Sequence, residues 1–149
     1  MKPIMLFSVV IFSFLLISCA SSIYNLPDAE KDPIISRTFD ATYATAFNSC
    51  MDALGEDGWI VTNSDKESGN IVTDYKLNDN ILTSALMGQY RSKFSLRVKK
   101  IDDKKSKVTL TIQSEREKAA GSWEPETLTQ YKYESQSKDF WAKLSSKLQ

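Results

Sequence analysis

Tyr90-Arg91-Ser92-Lys93-Phe94-Ser95-Leu96-Arg97-Val98-Lys99-Lys100-Ile101, followed after a short polar break by Val108-Thr109-Leu110-Thr111-Ile112-Gln113, decides the fold class. Successive side chains of a strand point to opposite faces of its sheet. Phe94, Leu96 and Val98 therefore share one face and Lys93, Ser95, Arg97 and Lys99 the other. Val108, Leu110 and Ile112 alternate in the same way against Thr109, Thr111 and Gln113. Two such runs joined by a polar turn over 102–106 predict an antiparallel hairpin with one dry and one wet face. A dry sheet face has to be covered by another layer.

Working outward, two segments supply that layer. Tyr43, Phe47, Met51 and Leu54 recur at helical spacing, joined by Ala44 and Cys50, and predict an amphipathic helix of about four turns. Asp40 suits its N-cap with Phe39 as a hydrophobic staple, and Gly55 or Gly58 its end. At the other terminus Tyr133, Ser137, Phe140, Trp141, Leu144 and Leu148 trace one helical stripe. Residues 34–39 read as a short strand with Ile35, Arg37 and Phe39 on one face. Residues 59–62 and 70–75 read as a second hairpin around the turn formers of 63–69. Residues 76–89 read as a long loop with a short helix around Ile81, Leu82, Ala85 and Leu86, and 115–125 as a connector. The expected product is an α+β two-layer sandwich, an antiparallel sheet packed against two helices in the order strand, helix, strands, helix.

The N-terminus carries a different signal. Met1 and Lys2 precede an almost purely apolar run over 4–17, too short for the ~20 residues that span a bilayer and of the length of a secretory signal core. It ends in Leu16-Ile17-Ser18-Cys19. An aliphatic residue at −3, a small residue at −1 and Cys at +1 resemble the bacterial lipobox. That resemblance implies cleavage before Cys19, a diacylglycerol on its thiol and a third fatty acyl chain, such as palmitate, on the new amine. Several buried chains at about 0.8 kcal/mol per CH₂ make such an anchor durable where one is marginal. Ala20, rather than Asp, follows the Cys. By resemblance to enteric-type lipoproteins this implies sorting to the outer membrane, on its periplasmic face, in preference to the inner membrane. The domain expectation is therefore a signal peptide over 1–18, a lipidated N-terminus and flexible tether over 19–33 and one domain over 34–149. Extended, the polar, Pro-containing tether would reach roughly 40 Å at about 3.3 Å per residue.

Composition narrows the chemistry. The chain is formally neutral, and losing Lys2 leaves one net negative charge, so no basic field exists to hold nucleic acid. Lys99, Lys100, Lys104, Lys105 and Lys107 cluster, but Asp102 and Asp103 sit among them, as in a solvated hairpin tip. With Cys19 acylated, Cys50 is the one thiol left and reads as a small core residue. There is no histidine, which removes the commonest general base and metal ligand together with the Ser-His-Asp and Cys-His arrangements. No paired carboxylates stand in an apolar setting that would tune them. The residues predict no catalytic group, metal or cofactor.

A wider resemblance lies in Phe39-Asp40-Ala41-Thr42-Tyr43, Leu54, Gly58-Trp59-Ile60-Val61, Asp65-Lys66 and Gly69-Asn70-Ile71-Val72. This pattern is similar to the helix-grip domains of the BamC lipoproteins of the outer-membrane β-barrel assembly machinery and of many small lipoproteins. It covers about residues 34–75 by motif and the rest by element order. Gly58 and Gly69 suit turns, Ile60 and Ile71 a cross-strand core pair, and Asp65 a hairpin cap. The chain has one such domain where BamC has two. The resemblance implies a membrane-anchored, non-catalytic periplasmic binding or scaffold module linked to outer-membrane protein assembly, with an envelope protein as partner. The alternative reading is a carrier of a small apolar ligand under the C-terminal helix, with Trp59, Tyr75, Tyr90, Trp123, Tyr131 and Trp141 as candidate lining; against it stands the commoner use of such aromatics as filled core. An acid–base group of Tyr131, Tyr133 and Glu134 is a third and weaker reading.

Overall fold

The computed structural model describes residues 22–77, 88–118 and 121–149. A 3-10 turn at Ile23–Asn25 leads into α1 (Asp28–Ile35), β1 (Ser36–Phe39), α2 (Tyr43–Glu56), β2 (Val61–Asp65), β3 (Asn70–Thr73) and β4 (Lys76–Leu77). β5 (Tyr90–Lys100), β6 (Ser106–Glu117), β7 (Trp123–Pro125) and α3 (Gln130–Lys147) follow. The strands form one open antiparallel sheet ordered β1-β6-β5-β3-β2, with β4 added on β5 and β7 on β6. This is the expected α+β class, a sheet packed against helices.

The alternation that predicts the central hairpin sets its register. β5 and β6 pair from Tyr90↔Arg116 to Lys100↔Ser106. Phe94, Leu96, Val98, Val108, Leu110 and Ile112 are all buried. Ala46, Phe47, Cys50, Ala53 and Leu54 of α2 and Tyr133, Phe140, Trp141 and Leu144 of α3 complete the same core. Each full-sized side chain buried there contributes roughly 1.5–3 kcal/mol. Trp59 stacks on Phe94 at 3.9 Å between ring centroids, and Phe140 meets the same ring edge-on at 6.1 Å. The space between α3 and the sheet is thus filled by side chains.

Local signals place α2. Its N-cap is Thr42, whose hydroxyl accepts from the Thr45 amide at 3.2 Å. Asp40 stays exposed outside the helix, and Ala44 faces solvent where the stripe had included it. The helix ends in a Schellman turn. Gly58, at φ +72°, lets its own amide reach the Gly55 carbonyl at 3.0 Å and the Trp59 amide reach Leu54 at 2.9 Å. Asp65 caps the β2–β3 turn through the Glu67 amide at 2.9 Å and the Ser68 hydroxyl at 2.7 Å. Gly69 closes that turn at φ +76° with its carbonyl accepting from the Val98 amide at 2.8 Å. A Cβ there would lie 2.1 Å from the Val98 carbonyl oxygen, so the strands meet only because Gly69 has none.

Several expectations need correction. Residues 59–60 precede the strand, and Ile60 is 71% exposed, so the core pair with Ile71 does not form; the Schellman turn delivers Trp59, not Ile60, to the core. The connector over 115–125 instead continues β6 to Glu117 and holds β7. The strand expected over 34–39 begins only at Ser36, because Ile34 and Ile35 end α1. The largest change concerns the tether. From Ser22 onward the described chain is part of the fold, with Ile23 only 1% exposed and α1 laid beside β1. A segment without periodicity reads as a tether, yet Ile23 holds this one through a single buried side chain, and Ile35 just beyond it enters the same core. The loop expected over 76–89 lies outside the described residues at 78–87; its start pairs with β5 as β4.

Candidate functional site

Cys19 lies outside the described residues. The six candidate lining residues are not brought together. Trp59 and Trp141 belong to the core, Tyr131 is 80% exposed, and Tyr75 and Trp123 stand over the outer, wet face of the sheet. Tyr90 is half-buried at the start of β5, where burial, with Glu126 nearby, raises its phenol above the ordinary value. An open cleft of about 560 Å³ does run beside α3, between it and α1–β1. Of the six, Trp141 and Tyr131 alone line it, with Arg37 packed over the Trp141 ring at 5.0 Å.

A site that sequence reasoning missed lies around the 3-10 turn at Ile23–Asn25. β1 covers β6 only from Ser106 to Thr109, and β7 covers it from Glu115. Between them the edge of β6 would present bare amides and carbonyls, which are costly when buried. Two tyrosine hydroxyls and one backbone amide close the gap. The Tyr24 hydroxyl accepts from the Ile112 amide at 2.7 Å and donates to its carbonyl at 2.8 Å. Burial pushes the Tyr24 phenol up, partly opposed by that bond to Ile112. The Tyr133 hydroxyl donates to Leu110 at 2.9 Å, and the Glu126 amide to Ser114 at 2.8 Å. The Ile23 amide reaches Leu128 at 2.8 Å, tying the 3-10 turn to the segment before α3.

Around this clamp the outer face carries an aromatic–cation ladder. The Arg91 guanidinium lies 4.4 Å from the Tyr75 ring centroid and 4.5 Å from that of Trp123. Its Nε donates to Glu115 at 2.8 Å, while the Tyr75 hydroxyl donates to the other Glu115 oxygen at 2.9 Å. Arg91 holds the Glu115 carboxyl below the usual carboxylate range. Lys93 adds a second cation 5.8 Å from the Tyr75 ring. Tyr24, Tyr75, Glu115 and Pro125 share with Ser22 an open hollow of about 330 Å³. The residues that build this corner come from β5, β6 and β7, from Tyr75 just before β4, and from the N-terminal turn. Only the Tyr75 and Trp123 ring chemistry was legible beforehand, without its location.

Burial and ion pairs account for the shifted titratable groups. Burial pushes the Cys50 thiol up to about 12, which leaves it protonated and unreactive at neutral pH. Burial likewise raises Tyr133 far above the ordinary phenol value. Tyr131 and Glu134 do not join it, since Glu134 accepts from Gln130 at 2.8 Å on the exposed side of α3. Burial alone would raise the Glu126 carboxyl, but Lys132 and Arg116 together hold it low. Among the described residues no three of His, Cys, Asp and Glu gather as a metal site, and no helix is long and apolar enough to cross a membrane. No family model and no curated protein matches this chain.

Proposed function

We propose that this protein is a membrane-anchored, non-catalytic binding or scaffold lipoprotein of the cell envelope, held by acyl chains on Cys19 at the periplasmic face of the outer membrane. The observation that carries this reading is Leu16-Ile17-Ser18-Cys19 standing where the apolar run ends. The absence of histidine and the inert setting of Cys50 support a role in binding rather than reaction. The partner is an envelope protein, and the setting outer-membrane protein assembly; this step rests on the resemblance of residues 34–75 to BamC domains.

Metabolic labelling with a fatty acid tests the anchor. Label should enter the native chain and sediment with membranes, while Cys19→Ser should lose both label and sedimentation. A mature N-terminus that is unacylated, or that starts elsewhere, overturns the reading. Copurification from gently solubilised membranes tests the partner. Recovery with an assembly component is expected; a chain that always elutes alone overturns that part.

A further inference from the structure

We infer that the corner built by the N-terminal turn, Tyr75, Arg91 and Trp123 is the face that rests on the lipid headgroups, so that the β5–β6 hairpin turn points away from the bilayer. The inference rests on the proposed anchor at Cys19 and fixes how that anchor presents the domain.

Chain length sets the geometry. Ser22 caps the 3-10 turn, and Ile23 is locked into the core. Three residue steps separate Cys19 from Ser22, a span of at most about 11 Å at 3.6 Å per residue. The chain therefore has no slack to lift the domain away, and whatever surrounds Ser22 is held beside the membrane. Tyr75, Glu115 and Pro125 share a hollow with Ser22, and Arg91 and Trp123 stack onto that group. Half-buried Tyr and Trp beside a cation are the side chains suited to a layer that is greasy on one side and wet on the other.

The other end has the opposite chemistry. β5 and β6 run about ten residues from this corner to their turn, roughly 33 Å at 3.3 Å per residue. There Lys100, Asp103, Lys105 and their neighbours are charged and solvated. Near the corner Arg91 pairs with Glu115, Arg116 and Lys132 with Glu126, and Lys118 with Glu124. Lys93 adds a fifth cation beside Tyr75, and Asp74 and Glu117 flank the same rings, so five positive charges face five negative ones. Contact is then set by the anchor and the aromatic rings, and is the same with or without anionic lipid.

Two single-cysteine labels read the orientation in the full lipidated chain. Glu124→Cys marks the corner and Asp103→Cys the turn; the native side chains are 53% and 92% exposed. Cys50 is buried and its thiol protonated, so an introduced cysteine takes a bimane label selectively. The labelled proteins are reconstituted into vesicles of phosphatidylethanolamine and phosphatidylglycerol containing bromolipid, with the N-terminal mass measured on the same samples. An acylated Cys19 with several-fold stronger quenching at position 124 than at 103, unchanged when phosphatidylglycerol is omitted, is the expected result. Equal quenching on an acylated chain overturns the orientation and leaves the anchor standing. An unacylated chain overturns the anchor and the orientation with it.

Discussion

The two ends of the β5–β6 hairpin belong to the same pair of strands and solve the same problem differently. At the turn end the chain closes on itself. The backbone of 101–105 reverses direction, Lys100 pairs with Asp103, and Gly69 brings the neighbouring hairpin into contact at Val98. At the corner end the strands separate, and distant segments stitch the exposed edge: Tyr24, Tyr133 and Glu126 each satisfy a backbone group of β6. The turn end is polar and reverses on its own residues, with Asp40 and Ala41 added beside it; the corner end is aromatic and is closed by distant segments. Under the proposed anchor at Cys19, the corner end would face the membrane and the turn end would point away from it.

The sharpest way to break the turn end is Gly69→Ala. A left-handed backbone costs an L-residue roughly 1–2 kcal/mol, and the new methyl would also stand 2.1 Å from the Val98 carbonyl oxygen. We expect a loss of about 3 kcal/mol or more, among the larger single-site effects, read as a lower urea midpoint. Gly121→Ala is the control. It has a similar φ of +74° with nothing within 4 Å of the added carbon, and should cost only the roughly 1–2 kcal/mol backbone term. Equal losses at the two sites would show that the contact with β5 contributes nothing.

Ile23→Ala tests the corner end and comes next in size. Ile23 is 1% exposed, and truncating a buried Ile costs roughly 2–5 kcal/mol. Its position in a three-residue 3-10 turn, outside the longer elements, puts the expected value at the lower limit, about 2 kcal/mol. A residue in a loose tether would show no change, so this one variant separates a clamped N-terminus from a free one.

These two ends also differ in how far the sequence announces them. The hairpin, α2 and α3 were legible because their apolar residues repeat with a period, and a period survives without knowledge of what it packs against. Asp65 and Gly69 were legible as turn residues for the same local reason. The corner has no period. Ile23 is a single apolar residue in a polar stretch, and α1 carries Pro33 and buries only Ile35. Tyr24 finds its partner Ile112 at a separation of 88 residues, and α1, which runs on toward the turn-end half of β6, finds Lys107 at 75 residues from Asp32. The aromatic ladder was hidden likewise. Tyr75 and Trp123 flank Arg91 only after β4 joins β5 and β7 joins β6. Read singly, each ring looked like filling for a core.

Tyr24→Phe sharpens the comparison by removing one oxygen. The ring stays packed, while the Ile112 amide and carbonyl both lose their partner. An unsatisfied buried backbone group costs about 1–3 kcal/mol, and water reaching this part-buried edge offsets some of that. A loss of about 1 kcal/mol is expected, together with faster amide exchange at Ile112 than at Leu96 in the strand centre. Unchanged exchange at Ile112 would mean that the edge is protected without Tyr24.

The smallest effect concerns the pair that pins α1 to the turn-end half of β6. Lys107 donates to both Asp32 oxygens at 2.6 Å, and that contact, with the Ser36 hydroxyl, holds the Asp32 carboxyl below its usual range. A carboxyl depressed on folding contributes stability above its unfolded pKa of about 4, and loses it as pH falls through the lower folded value. The Asp32 side chain is 50% exposed, so screening limits the pair to about 0.5 kcal/mol. Asp32→Asn should therefore melt slightly earlier than the native chain at pH 7, and the gap should close in the acid range below pH 4. A gap that persists unchanged in acid would assign the effect to packing of α1, where Ile34 and Ile35 meet the core, rather than to the ion pair.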